Sequence, residues 1–155
     1  YDDSMMQFLD DGDNVCHIKG FKLKVIYKYL AKNPQFLSQY DYFFFPDDDI
    51  CMATMKVDKR NRQPFGFLSG GASLALAENL AGVGSSALCP GKICVGISVS
   101  GDHVKAVEEG ETVTALAHLV SKGRKLHVWD VQISKSSGEL ISTVHVTNYI
   151  ITPKK

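Results

Sequence analysis

Residues 70–87 read Gly-Gly-Ala-Ser-Leu-Ala-Leu-Ala-Glu-Asn-Leu-Ala-Gly-Val-Gly-Ser-Ser-Ala. Apolar residues recur at helical spacing and predict a helix over 70–87, with Ala72, Leu76, Leu80, Val83 and Ala87 along one stripe. Each interior glycine costs about 1 kcal/mol relative to alanine, so tertiary contacts must compensate. We infer that these small side chains let a sheet pack closely around the helix.

Four strands are predicted after this helix, over 92–101, 111–120, 125–134 and 140–151. In the first strand the apolar residues alternate with small or polar ones, which predicts one apolar face formed by Ile93, Val95, Ile97 and Val99. The third strand places Trp129 on one face with other apolar residues. Short connections predict antiparallel neighbours, so this half is expected to form a meander. Another strand is predicted over 49–58, followed by a loop over 59–66.

Residues 1–48 show the least regular pattern. Their apolar residues favour an amphipathic helix over 20–32 and a buried strand over 42–45. The aspartates at 47–49 favour a solvated turn, because they lack the ligand spacing and glycine of a calcium loop. No repeat or low-complexity linker divides the sequence, so we expect a single domain over 1–155.

Composition excludes several classes of function. The 155 residues are 45% apolar and 22% charged, with equal numbers of basic and acidic residues, as in an ordinary soluble domain. A pI near 7.1 provides no basic field for nucleic acid or an anionic membrane. No apolar run approaches the length of a membrane span and no signal peptide is evident, so a cytoplasmic location is expected. The four cysteines form no metal-binding pattern and are expected to be reduced thiols, with no metal bound.

Glu78 stands out in a helix otherwise built from alanine, leucine and glycine. A carboxylate beneath a sheet is costly to desolvate, and buried glutamates usually have a partner or a chemical role. Composition alone equally allows a helix edge that reaches solvent.

The stretch 57–78 carries a long ordered motif. It closely resembles the pattern V-D-x-R-x-x-Q-P-(F/Y)-G-x-(L/V)-H-G-G-A-S-x-x-L-A-E of hotdog-fold acyl-CoA thioesterases, in the branch of 1,4-dihydroxy-2-naphthoyl-CoA thioesterase and its aryl-CoA relatives. The resemblance continues through 101–110 and 123–130 and covers about two thirds of the chain, from Asp49 onward.

This resemblance implies an α+β hotdog fold, in which an antiparallel sheet wraps around a long central helix. It also implies hydrolysis of an acyl-CoA with an aromatic or naphthoyl acyl group, as in menaquinone biosynthesis. Glu78 would be the nucleophile or general base, and the Gly70 amide would hold the carbonyl oxygen as it gains negative charge. Gln63 would orient the thioester or the water.

Two positions depart from the family pattern. Ser69 stands where the family has histidine or asparagine, and Gly82 stands where it often has serine or threonine. These replacements leave open an alternative, a hotdog protein that binds acyl-CoA but hydrolyses it poorly. A hotdog hydratase or dehydratase is a third possibility, although the motif is that of a thioesterase.

Coenzyme A is expected as part of the substrate, with no separate cofactor. The resemblance implies that four residues lie near its phosphates and pantetheine arm: His103, Lys105, Lys122 and Arg124. Lysine and arginine can pair with phosphate oxygens, arginine in bidentate fashion. Each charged side chain taken singly is equally well explained as a solvated residue at a strand end.

The spacing of Gly70 and Glu78 adds an inference that is independent of the family. Eight residues of helix correspond to about 12 Å of rise. Reacting groups must lie about 3 to 3.5 Å from the atoms on which they act, so one chain would have difficulty engaging one carbonyl with both. We therefore expect active sites shared between two subunits of a homodimer. The resemblance implies that such dimers join their sheets edge to edge, and we expect them to pair into a tetramer.

Overall fold

One long helix and six strands make up the part of the chain that the structure describes. In this computed structural model the backbone of residues 41–45 and the whole of residues 49–153 are described. The elements are β1 (Asp41–Phe45), β2 (Ile50–Lys56), α1 (Gly70–Leu88), β3 (Ile93–His103), β4 (Thr112–Lys122), β5 (Leu126–Lys135) and β6 (Leu140–Ile151). The predicted helix over 20–32 and the predicted burial of residues 42–45 lie outside what the structure describes.

The strands form one antiparallel sheet in the order β1-β2-β4-β5-β6-β3. The predicted helix and the strands from 49 onward are confirmed to within a few residues at each end. The predicted meander is correct only for β4, β5 and β6. It is wrong for β3, which pairs with β6 at the sheet edge and not with β4.

The connection between β3 and β4 explains this difference, because it crosses the end of the sheet. Val107 is buried, and its carbonyl accepts a hydrogen bond from the Leu68 N–H (2.8 Å). The Gly110 N–H donates to the Val57 carbonyl (2.8 Å), and the Val57 N–H donates to the Glu111 carbonyl (2.8 Å). The segment before α1 therefore binds this connection, a long-range contact that local turn patterns do not reveal.

A β-bulge divides β3 into two halves. Gly96 is paired with Asn148 and Ser98 with Thr147, so Ile97 is the extra residue and the alternation of faces is reversed there. The prediction of a single apolar face is wrong for this reason. Ile93 and Ile97 are 51% and 58% exposed, whereas Val99 packs against the hydrophobic core.

The sheet packs closely on α1, as its small residues predict. A Cβ atom added at Gly84 would lie 2.7 Å from Cη2 of Trp129 and 3.0 Å from Sγ of Cys51. Trp129 is fully buried, so the predicted apolar face of β5 lies in the core. Glycine at position 84 is thus required by the approach of β5 to the helix, which offsets its low helix propensity.

A buried hydrogen-bond network joins α1 to β5 and β6 through Ser85. Its Oγ accepts hydrogen bonds from Nε1 of Trp129 (2.9 Å) and Nδ2 of Asn148 (3.0 Å). The remaining hydroxyl hydrogen is donated to Nδ1 of His127 at 3.1 Å. His127 is therefore a neutral acceptor in this network, and burial lowers its pKa below the ordinary value of 6.5.

This network predicts that mild acid destabilises the protein. A histidine whose folded pKa lies below its unfolded pKa binds more protons when unfolded, so its contribution to stability is complete above about pH 6.5 and is lost as pH falls toward the folded value. We expect the thermal midpoint to decrease as the pH falls from 7.5 to 5.5. The decrease should be smaller in His127→Asn, because asparagine does not titrate. Calorimetric unfolding across this pH range measures both.

His118→Asn is the matched control, because His118 lies exposed on β4. Its thermal midpoint should follow the same pH dependence as that of the wild-type protein. Equal acid sensitivity of His127→Asn and wild type would contradict the assignment of this effect to His127.

Candidate active site

The amino terminus of α1 presents backbone N–H groups that no residue within 49–153 accepts. Ser69 is the N-cap residue, with extended backbone (φ −69°, ψ 134°), and its side chain forms no capping hydrogen bond. Its carbonyl accepts hydrogen bonds from the N–H groups of Ala72 and Ser73, each at 3.1 Å. Among the residues that the structure describes, the N–H groups of Gly70 and Gly71 have no partner. Together with the helix dipole, these amides favour binding of an oxygen that carries negative charge.

A pocket of about 270 Å3 lies at this end of the helix, and we call it the amide pocket. Its lining includes Gln63, Gly70, His103 and Lys105. The structure thus brings together four of the residues predicted from sequence.

The side chains of the amide pocket are held in place by neighbouring groups. Oε1 of Gln63 accepts a hydrogen bond from the Phe65 N–H (3.2 Å), which leaves the Gln63 amide nitrogen free to donate. Nδ1 of His103 lies 2.9 Å from Oγ of Ser142. A Cβ atom added at Gly70 would lie 2.6 Å from Nε2 of His103, so the imidazole packs directly on the Gly70 backbone.

A second pocket, of about 230 Å3, surrounds Glu78, and we call it the carboxylate pocket. Its other lining residues are Asn79, Gly82, Val83, Cys94, Gly96 and Asn148. The Glu78 carboxylate packs on the β3 backbone, since a Cβ atom added at Gly96 would lie 2.4 Å from Oε1. Glu78 is half-buried and forms no hydrogen bond or ion pair with any described residue. The carboxylate is thus available to a molecule that enters the pocket.

The two pockets have no lining residue in common. The Gly70 amide is at the helix terminus and Glu78 is two turns further along, about 12 Å away by helical rise. The expectation that two subunits share each active site stays a prediction.

The four residues expected near CoA are divided between the two ends of the sheet. His103 pairs with Ser142 near the start of β6. There β6 lies beside the last residues of β5. Lys122 and Arg124 lie beside the first residues of β5, at the opposite end, and line neither pocket. Lys105 forms an ion pair with Glu139. Within one chain, therefore, only His103 and Lys105 lie at the amide pocket.

Asn148 is a member of the carboxylate pocket that sequence reasoning did not single out. The period of two in β6 could have found it, because Val144, Val146 and Ile150 share its buried face. The bulge at Ile97 has no comparable pattern in the sequence.

No side-chain group of three or more potential metal ligands occurs in the described part of the chain. Residues 49–153 contain no helix that is long and apolar enough to span a membrane.

An antiparallel sheet packed on one long helix is the architecture of a hotdog fold. Residues 65–142 match the model of the thioesterase superfamily. The chain belongs to the thioesterase superfamily.

Individual relatives agree with this membership. The chain is 35% identical to the 1,4-dihydroxy-2-naphthoyl-CoA hydrolase of Escherichia coli over 105 residues, covering 67% of this chain and 76% of that protein. It is 37% identical to the proofreading thioesterase EntH of Cronobacter sakazakii over 105 residues, with the same coverage of 67% and 76%. The crystal structure of a mutant thioesterase from Pseudomonas aeruginosa superimposes with a TM-score of 0.76 at 30% identity, covering 87% of this chain and 97% of that one. The hotdog fold and the thioester hydrolase class expected from the sequence motif are therefore confirmed.

Proposed function

We propose that the protein hydrolyses acyl-CoA thioesters to the free acid and CoA, and that the acyl group is aromatic or naphthoyl. The observation that carries this proposal is that one helix offers two groups without a partner among the described residues, the Glu78 carboxylate in one pocket and the Gly70 amide in the other. The choice of acyl group is supported by the similarity to a relative named for a naphthoyl-CoA substrate.

In the proposed reaction the thioester carbonyl enters the amide pocket. Its oxygen accepts a hydrogen bond from the Gly70 N–H, which stabilises the negative charge that develops during attack on the carbonyl carbon. The Gln63 amide nitrogen donates to the carbonyl or to the attacking water. Glu78 either attacks the carbonyl carbon itself or removes a proton from the attacking water.

We propose that each active site combines the amide pocket of one protomer with the carboxylate pocket of its partner. β3 is the last strand in the described sheet and carries exposed apolar side chains, Ile93 and Ile97 among them. An exposed apolar edge strand is suited to pairing with a second copy of the same strand. Such pairing brings α1 of one protomer toward α1 of the other, and we propose further pairing of two dimers into a tetramer.

The proposed CoA site uses His103 and Lys105 at the amide pocket. Lys122 and Arg124 would bind CoA phosphates from the opposite end of the sheet. In a dimer these two residues would belong to the partner chain. We propose a cytoplasmic location, where thiols remain reduced.

A thiol-release assay with a panel of CoA esters tests the substrate class. The panel contains naphthoyl-, benzoyl-, phenylacetyl- and fatty acyl-CoA, and the readout is kcat/KM for each ester. We expect the aromatic esters to exceed the fatty acyl esters by about tenfold or more, since a pocket that fits a ring gains about 1 to 3 kcal/mol over a poorly fitting chain.

Two outcomes contradict the proposal in different ways. Preferential hydrolysis of fatty acyl-CoA leaves the thioesterase activity intact and excludes the aromatic acyl group. Calorimetric binding of CoA esters without thiol release from any of them identifies the binding-protein alternative, and directs attention to Ser69 and Gly82.

A further inference from the structure

Asn148 lines the carboxylate pocket and carries a buried polar atom without a partner in residues 49–153. Its side chain is fully buried, and Oδ1 has no hydrogen-bond partner among the residues that the structure describes. A buried amide oxygen without a partner costs about 1 to 3 kcal/mol, so its retention requires an explanation. The proposed reaction assigns no role to this atom.

The opposite end of the same amide is fixed. Nδ2 of Asn148 donates to Oγ of Ser85 at 3.0 Å, and Ser85 is held in turn by Trp129 and His127. This anchoring sets the orientation of the amide. Oδ1 is therefore held in position without help from a substrate.

Asn148 is also adjacent to the Glu78 carboxylate. Asn148 and Gly96 are directly paired across β6 and β3, so their side-chain positions are on the same face and about 5 Å apart. The Glu78 carboxylate occupies the side-chain position of Gly96, with Oε1 2.4 Å from a Cβ atom placed there. Glu78 and Asn148 thus lie side by side and line the same pocket.

Gly82 leaves space next to these two acceptors. A Cβ atom added at Gly82 would meet no atom within 4 Å, and Gly82 lines the carboxylate pocket one turn after Glu78. A water molecule in this space can donate one hydrogen to the Glu78 carboxylate and the other to Oδ1 of Asn148, since both are acceptors. Such a water directs a lone pair away from both groups.

We infer that Asn148 is a water-positioning residue, which holds the attacking water beside Glu78 and commits Glu78 to the role of general base. This inference rests on the proposed thioesterase function. The water oxygen bonds to the thioester carbon, Glu78 takes one water proton, and the carbonyl π electrons move to the oxygen held by the Gly70 N–H. When the tetrahedral intermediate collapses, the C–S bond breaks and the CoA sulfur leaves with the proton from Glu78.

Asn148→Leu tests the inference, because leucine has a similar shape and no acceptor. We expect kcat for the best CoA ester to fall by about 10- to 100-fold with KM nearly unchanged, as expected for loss of orientation of one reactant. Adding Gly82→Ser to this variant places a hydroxyl in the pocket and should restore about tenfold of the lost kcat. A residue with a purely structural role would not be rescued in this way.

Asn148→Val and Asn148→Thr form a second comparison that remains informative if leucine impairs folding. Both lose the amide that donates to Ser85, and they differ only in a methyl or a hydroxyl group. The thermal midpoint of each variant is measured beside kcat, so that a loss of folding is separated from a loss of turnover. We expect threonine to retain about tenfold more kcat than valine, because only threonine offers an acceptor to the water.

Wild-type kcat in Asn148→Leu, or equal kcat in the valine and threonine variants, overturns the role of Asn148 while leaving the thioesterase function intact. Loss of kcat in Asn148→Leu without rescue by Gly82→Ser also overturns it. Absence of thiol release by the wild-type enzyme is a separate result, which overturns the proposed function itself.

Discussion

Glu78→Gln is expected to lower kcat for CoA-ester hydrolysis by about a thousandfold, with little change in KM. Glutamine preserves the size of the side chain but can neither remove a proton from water nor attack the carbonyl carbon, and acid–base groups of this kind contribute about 10²- to 10⁴-fold. Continuous detection of released thiol, together with calorimetric titration of a CoA ester into the variant, separates turnover from binding.

Asp102→Asn is the matched control for this variant. It also replaces one carboxylate by its amide, but Asp102 pairs with Thr143 on the face of β3 that points away from the carboxylate pocket. Its kcat should remain within about twofold of wild type, as for most surface substitutions. Comparable activity of Glu78→Gln and wild type would remove Glu78 from the mechanism and favour its alternative interpretation as a residue of a solvated helix edge.

Two inactive variants are expected to restore activity when they are combined in one dimer. One chain carries Glu78→Gln and the other carries Gln63→Ala together with Gly70→Ala. If each active site is shared between the two chains, one site contains all three substitutions and the other site contains none. With a two-fold symmetric interface, the mixed dimer should show about half the wild-type activity, whereas each variant homodimer shows almost none. Co-expression with two different affinity tags isolates the mixed dimer for the thiol-release assay.

The reciprocal pairing distinguishes shared sites from sites within one chain. A chain that carries all three substitutions is paired with a wild-type chain. Shared sites leave each active site with half of its groups damaged, and activity should fall to nearly zero. Sites confined to one chain would give the opposite pattern, with about half the activity in this pairing and none in the first.

Much of the secondary structure could be predicted from local patterns. The stripe of apolar residues in α1 and the alternation in β5 and β6 record burial on one side, which periodicity detects directly. The place of β3 in the sheet could not be predicted in this way. It depends on the hydrogen bonds of Leu68 and Val57 to the connection after β3, which join distant parts of the chain.

The residues of the candidate site that lie in one continuous motif could be predicted from the sequence. The stretch 57–78 contains Gln63, Gly70 and Glu78, and the structure places the first two in one pocket and Glu78 in another. Asn148 is 70 residues beyond Glu78 in the sequence, and its proximity arises from pairing between β3 and β6. The sequence alone therefore indicates the reacting groups more readily than the side chains that orient water around them.

The bulge at Ile97 reverses which alternate residues of β3 face the helix. Before it, Cys94 and Gly96 face α1; after it, Val99, Gly101 and His103 do so. One strand consequently lines both pockets. A strand whose side chains alternated without interruption could not do so. The number of residues between Gly96 and His103 is then a stricter requirement than the identity of most of them, because a single inserted residue would replace the imidazole beside Gly70 with the carboxylate of Asp102.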